Sequence, residues 1–178
     1  KVYVQSRIEP NWSFLKGMND YLAMDAELPP YEHKNITLSC QKIQPGQIFV
    51  FRLRANPTRR IGKSDDGMRG KRVELAREAD QIDWLIRKGL DHGKGRPGGF
   101  EILMKKVKDI EGNEHLVPRV NVCCEGKQIS LKHVDLQRYK TTHLAVLYEG
   151  LLRVRNRDAF LETLIRGIGS GKAFGFGL

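Results

Sequence analysis

HLAVLYEGLLRVRNRDAFLETLIRGIGSGKAFGFGL, residues His143–Leu178, holds the clearest succession of elements in this chain. His143–Tyr148 alternates apolar and polar residues as a strand does, and the strand continues through Leu151–Val154 past Glu149-Gly150. Asn156 is an N-cap residue with Asp158 in the first turn behind it, where the positive end of a helix dipole favours a carboxylate. Phe160, Leu161, Leu164 and Ile165 form the expected buried face, and Gly167 ends the helix. The glycine-rich run Gly167–Gly177 then returns into a strand. Strand, helix, glycine-rich connection and strand make one half of a ferredoxin-like unit, so the expected class is α+β.

Upstream, Gln128–Val134 reads as a short strand. Phe100–Val107 and Leu116–Val122 read as two strands joined through Glu111-Gly112-Asn113, and Gly93–Gly99 as a loop. Leu75, Ala79, Ile82 and Ile86 recur at helical spacing and predict a helix over Val73–Lys88, stopped by Gly89. Pro45-Gly46 turns the chain into a strand over Gln47–Arg54, with Phe49, Phe51 and Leu53 on one face. Ile48, Val50, Arg52 and Arg54 share the other face, so two arginines emerge side by side, either toward a ligand or as edge charges in solvent. Further strands are expected at Val2–Ser6 and Ile36–Cys40, and a helix through Trp12, Leu15, Met18 and Leu22. Between Pro57 and Arg72 lies a basic, glycine-bearing segment with Arg59, Arg60, Lys63, Arg69, Lys71 and Arg72. It reads as a linker, either plainly solvated or ordering on nucleic acid.

The 31 Lys and Arg residues against 21 Asp and Glu give a net charge of +10. That excess points to a polyanionic partner, since each basic contact to a phosphate releases condensed counterions. Cys40, Cys123 and Cys124 form no disulfide framework, because adjacent cysteines on a strand point to opposite faces. They read as small, mostly buried thiols in a reducing compartment, hence a cytoplasmic protein. No C-x-x-C spacing suggests zinc, and Asp65-Asp66 has no partners at metal-site spacing, so no metal or cofactor is expected. No apolar run is long enough for a membrane span.

The glycine-rich run fails two phosphate-binding patterns. In the P-loop pattern Gly171-Lys172 would precede Ser or Thr, but Ala173 follows; the dinucleotide fingerprint meets Lys172 where its third glycine belongs. Both patterns also precede a helix, whereas this run follows one. What remains is a loop of small residues, Gly169 and Gly171 among them, whose bare backbone admits a sugar-phosphate chain with Lys172 as cation. Lys172–Gly177 also approaches the RNA-recognition signature, which would make Phe174 and Phe176 a platform for stacking bases.

Four segments carry a family resemblance: Phe51–Pro57 (FRLRANP), Glu78–Leu85 (EADQIDWL), Tyr148–Leu152 (YEGLL), and Gly167-Ile168-Gly169 through Lys172 to Leu178. They occur in the order found in the CasE family, the crRNA-maturing endoribonucleases of type I-E Cascade. The resemblance spans Phe51 to Leu178 and is weak over Gly93–Arg138. It implies tandem ferredoxin-like (RRM-like) domains, the first incomplete: 1–56 the remainder of an N-terminal domain, 57–72 the linker, 73–178 the C-terminal domain. It implies a CRISPR repeat RNA hairpin as substrate, held by a basic hairpin and the glycine-rich loop, and retention of the product among other Cascade subunits. Expected RNA-binding residues are Arg52, Arg54, Arg59, Arg60, Arg138, Lys140, Gly169, Gly171 and Lys172. Lys127, Lys132 and Arg119 lie in the preceding hairpin region. The family's catalytic histidine follows the first strand of the first domain, a position expected upstream of Lys1. None of His33, His92, His115, His133 and His143 aligns with it, so the catalytic residues are left unassigned. The alternative is a non-catalytic RNA-binding module using the Phe174/Phe176 platform.

Overall fold

The structure, a computed structural model, describes residues 10–13, 42–62, 70–90, 98–134 and 137–177. The strands expected at Val2–Ser6 and Ile36–Cys40, the helix through Leu15, Met18 and Leu22, and most of the loop Gly93–Gly99 lie outside these residues. So do Lys63–Arg69 of the basic segment. Two compact units divide the chain, Lys1–Lys42 and Ile43–Leu178, and every element below belongs to the second.

In chain order these are β1 (Ile48–Ala55), β2 (Thr58–Ile61), β3 (Lys71–Glu74), α1 (Glu78–Gly89), β4 (Phe100–Ile102), β5 (Met104–Lys108), β6 (Glu114–Pro118), β7 (Val120–Val134), β8 (Gln137–Val154) and α2 (Arg157–Arg166). β8 is the centre of an antiparallel sheet. β1 pairs with it from Ile48 opposite Arg153 to Ala55 opposite Val146. On its other side β4 pairs near its end and β7 along the rest. The fold is therefore α+β, with antiparallel sheets and few helices.

Three sequence expectations change. A domain boundary at residue 56 would sever β1 from the strand that satisfies its backbone groups; the compact unit begins at Ile43 instead. The segment 57–72 is not simply a linker, because Thr58–Ile61 and Lys71–Glu74 pair as a two-stranded ladder with Arg60 opposite Arg72. And β8 starts at Gln137, not His143, so Arg138, Lys140, Thr141 and Thr142 are strand residues paired with β7. Gln128–Val134 is the far part of β7, continuous with it through an irregularity between Cys124 and Gly126.

The core follows the alternation of β1 and β8. Leu53 and Ala55 are buried with Leu144, Val146, Tyr148, Leu152 and Val154, and α1 and α2 cover them with Trp84, Leu85 and Phe160. Trp84 stacks on Tyr148 with ring centroids 6.0 Å apart. The buried face of α1 is Gln81, Trp84, Leu85 and Gly89 rather than the stripe through Ala79, Ile82 and Ile86. Leu75 explains the rotation. It precedes the helix, donates its N–H to the Pro57 carbonyl, and its own carbonyl accepts from the buried Gln81 side chain at 2.8 Å. In α2, Asn156 caps as expected, accepting from the Ala159 N–H at 3.0 Å. Its buried residues are Phe160 and Thr163, while Leu164 and Ile165 are exposed. Thr163 turns inward because its hydroxyl donates to the Gly98 carbonyl at 3.0 Å. Cys123 and Cys124 are exposed, contrary to expectation; in β7 they face Leu147 and Val146 across an outer strand pair.

Tyr148 is fully buried and its hydroxyl donates to the Gln81 carbonyl at 3.3 Å. Burial raises its pKa well above the ordinary value of 10.0. Above that value an unfolded chain releases the proton that the folded chain keeps, so this part of the stability is present below about pH 10 and falls as pH rises further. Unfolding titrations at about pH 9 and about pH 11 are expected to show the loss in the parent and a smaller one in Tyr148→Phe. Equal losses would remove Tyr148 from the account.

Candidate nucleic-acid interface

Beyond the end of β1 the chain must turn, and Asn56 does so by bridging to Ser170 of the glycine-rich run. The run folds back along β1: Gly177 donates to the Arg54 carbonyl at 2.7 Å, and Ile168 donates to the Gly177 carbonyl at 2.7 Å. Between these bonds Lys172–Phe174 makes one 3-10 turn rather than a strand. Gly169 and Gly177 show why the run is rich in glycine. Both hold φ near +80° (84° and 76°), where a side chain is strained. A Cβ on Gly169 would also press on the Trp84 ring, and one on Gly177 would overlap the Ile168 carbonyl oxygen. The bare backbone at Gly169 is thus filled from inside, and so is that at Gly171, against Phe176.

The two-ring aromatic platform fails at Phe176, while Phe174 is half-buried. Phe176 is 1% exposed. The His143 ring packs 4.8 Å from the Phe174 ring and 5.7 Å from that of Phe176, with the Arg54 guanidinium 5.8 Å from the latter. Phe176 anchors the loop and has no face free for a base. What the loop does present is Lys172, Ala173 and Gly175, all exposed. The sequence alone gives His143 no role. Its Nδ1 lies 3.0 Å from the Asn56 side-chain nitrogen, while its Nε2 and the Asn56 Oδ1 are buried without a protein partner.

Of the expected binding residues, the structure gathers Arg54, Gly169, Gly171 and Lys172 at this edge of the sheet. Arg52 shares the face of Arg54, two residues back. Each arginine meets a carboxylate: Arg52 the Glu149 side chain at 3.1 Å, Arg54 the Glu125 side chain at 2.5 Å. Lys140 is exposed on β8 opposite Leu131; strand alternation puts it on the face opposite to His143. Arg138 pairs with His133 by backbone, and its side chain lies outside the description. Arg59 and Arg60 are elsewhere. Arg59 lines a cleft of about 300 Å³ with Asp80, Asp83 and Arg87, and Arg60 donates to the Gly70 carbonyl at 3.2 Å. Among the described residues, no group of three His, Cys, Asp or Glu is placed to hold a metal, and no helix is long and apolar enough to cross a membrane.

A family model described as CRISPR associated protein matches residues 1–178. The chain is 34% identical over 178 residues to the CRISPR-associated endoribonuclease Cse3 of Thermus thermophilus, covering 99% of this chain and 70% of that one. It is 29% identical over 143 residues to the CRISPR system Cascade subunit CasE of Escherichia coli, covering 77% of this chain and 59% of that one. Among solved structures, one of the CRISPR endoribonuclease Cse3 bound to 19 nt RNA matches with a TM-score of 0.53 and 34% identity, over 76% of this chain and 56% of that chain. This chain thus spans little more than half the length of that RNA-bound structure. Matched along all its residues by the family model, and at such identity to Cse3, the chain belongs to the CRISPR-associated protein family of the Cse3 and CasE endoribonucleases.

Proposed function

We propose that this chain is the RNA-gripping part of an endoribonuclease that cuts CRISPR repeat hairpins in precursor crRNA and stays with its product in Cascade. The observation that carries the reading is the likeness to Cse3, a protein solved with RNA bound, joined to an exposed Lys172 on a loop anchored beside Arg54. The unit Ile43–Leu178 is read as the C-terminal ferredoxin-like domain, beginning at 43 rather than 73. Its supports are the order β1, α1, the β4–β7 side, β8, α2, and the return of the glycine-rich run beside β1.

The chemistry needs no metal. A ribose 2′-hydroxyl attacks the neighbouring phosphorus, a base takes its proton, the 5′-oxygen leaves with a proton from an acid, and a 2′,3′-cyclic phosphate remains. Cations beside the phosphate steady the charge gathering on its oxygens. Of the two expected, Lys172 is exposed on the loop and is the candidate here, whereas Lys140 lies on the strand face opposite to the His143 ring that packs on that loop. The base is not assigned to a described histidine: His115 is tied to Asp109 at 2.8 Å, the His143 ring is packed on Phe174 and Phe176, and the side chain of His133 lies outside the described residues. Arg52, Arg54, Arg138 and Lys140 are proposed to position the RNA stem through its phosphates, and Arg59 and Arg60 to meet RNA farther along.

Lys172→Ala is expected to weaken binding of a repeat hairpin and to reduce the slope of log affinity against log salt by about one. Filter binding from about 50 to about 200 mM salt measures it. A parent slope retained in the variant would mean that Lys172 touches no phosphate. Cleavage of the same hairpin by the full-length protein in the presence of a chelator tests the reaction class, and activity that depends on added divalent metal would overturn it.

A further inference from the structure

β5 and β6 form a hairpin of their own, inserted between β4 and β7 and pairing with no other described strand, from Met104 opposite Pro118 to Lys108 opposite Glu114. Every residue from Met104 to Val117 is exposed. Five of them are large and apolar: Met104, Val107, Ile110, Leu116 and Val117. A two-stranded ribbon wetted on both faces has little to hold it, so its order must come from its turn or from a partner.

The turn is built with care. Asp109 accepts from the N–H groups of Glu111 and Asn113 at 2.9 and 2.8 Å, and its second oxygen meets the Asn113 amide at 3.2 Å and His115 at 2.8 Å. These bonds fix the reversal of the backbone and place the Ile110 side chain, wholly exposed, at its tip. Solvent gives no reason to hold an isoleucine so. An apolar residue on a turn whose backbone is already fixed loses little backbone entropy on docking, which is what an anchor residue requires.

Charge separates the kinds of partner. The hairpin carries Lys105, Lys106 and Lys108 against Asp109, Glu111 and Glu114, a balance of zero in a chain of +10. Lys106 is moreover spent on Glu114, 2.9 Å away. The sequence at the far ends of β7 and β8 is different: residues 127–140 hold Lys127, Lys132, Arg138 and Lys140 with Asp135 as their one acidic residue, and Lys127 meets Glu74 of β3 at 3.5 Å. A ribbon of zero net charge that exposes five large apolar side chains is poorly matched to a phosphate backbone and better matched to protein.

We propose that the β5–β6 hairpin is a protein-docking element, seating Ile110 and Leu116 in an apolar recess of a neighbouring protein subunit of the RNA-guided complex. The proposal rests on the reading above that the protein is retained in such a complex. Its test uses the full-length protein, repeat RNA and the other subunits reconstituted together. Ile110→Asp with Leu116→Asp is expected to leave hairpin RNA affinity and cleavage within about twofold while reducing incorporation into the complex, followed by size exclusion, about tenfold or more. Ile110→Ser, at a tip that supports nothing else, is expected to fold as the parent and lose part of the incorporation. Normal incorporation of well-folded variants overturns the proposal. So does an RNA affinity that falls along with incorporation, which would make the hairpin an RNA-binding surface. A parent protein that enters the complex without cutting RNA would defeat the endoribonuclease reading and leave the docking assay to decide on the hairpin.

Discussion

Trp84→Ala is expected to lower the unfolding free energy by about 3–5 kcal/mol, the cost of emptying a large aromatic site in a packed core. Trp84 is 3% exposed, stacks on Tyr148, and fills the space beneath Gly169. It therefore holds two things at once: the seat of α1 on the sheet and the floor of the glycine-rich loop. Denaturant unfolding should show the loss, and binding of hairpin RNA at a temperature where the variant is still folded should be weaker than in the parent. A destabilisation below about 1 kcal/mol would place Trp84 outside the core, since surface substitutions fall in that range.

The second large effect separates two glycines with the same backbone angle. Gly175 has φ 79° with open space where a Cβ would go; Gly177 has φ 76° with the Ile168 carbonyl in that space. Gly175→Ala is expected to cost only the left-handed strain, about 1–2 kcal/mol. Gly177→Ala adds an overlap with backbone that has no rotamer to escape into, and puts at risk the two hydrogen bonds that close the loop, to Arg54 and from Ile168. Its loss is expected to exceed that of Gly175→Ala by at least about 1 kcal/mol, each such bond contributing on that order. Unfolding midpoints measured side by side give the answer. Equal losses would mean that the loop closes by some contact other than the Gly177 backbone.

How much of this was legible beforehand depends on whether the cause was local. Asn156, Pro45-Gly46 and Glu111-Gly112-Asn113 act on the residues beside them, and the N-cap, the turn and the hairpin stand where those residues put them. The two faces of β1 were legible too, because a period of two needs no partner to be seen. Other features rest on contacts across the chain. Polar Arg138–Thr142 carries no alternation, so only its pairing with β7 reveals it as strand. Gln81 looks like a solvent residue until the Leu75 carbonyl is placed against it. Phe174 and Phe176 match a base-stacking signature by type, but His143 and Arg54, remote in sequence, decide which way they face. The glycines of 167–177 stand out in the sequence as a group. Composition could not say whether their bareness serves a ligand outside or Trp84 and Phe176 inside.

The pairing of Arg52 with Glu149 and of Arg54 with Glu125 has a consequence for selectivity. Each guanidinium already has an anion in hand, so a single dissolved phosphate offers it no more than an exchange of like for like. A ligand that presents several phosphates at fixed spacing can displace both carboxylates together, whereas scattered small anions cannot. What leaves the arginine in that exchange is a tethered side chain and not a salt ion. These two residues can then add to affinity while adding less than their number to its dependence on ionic strength.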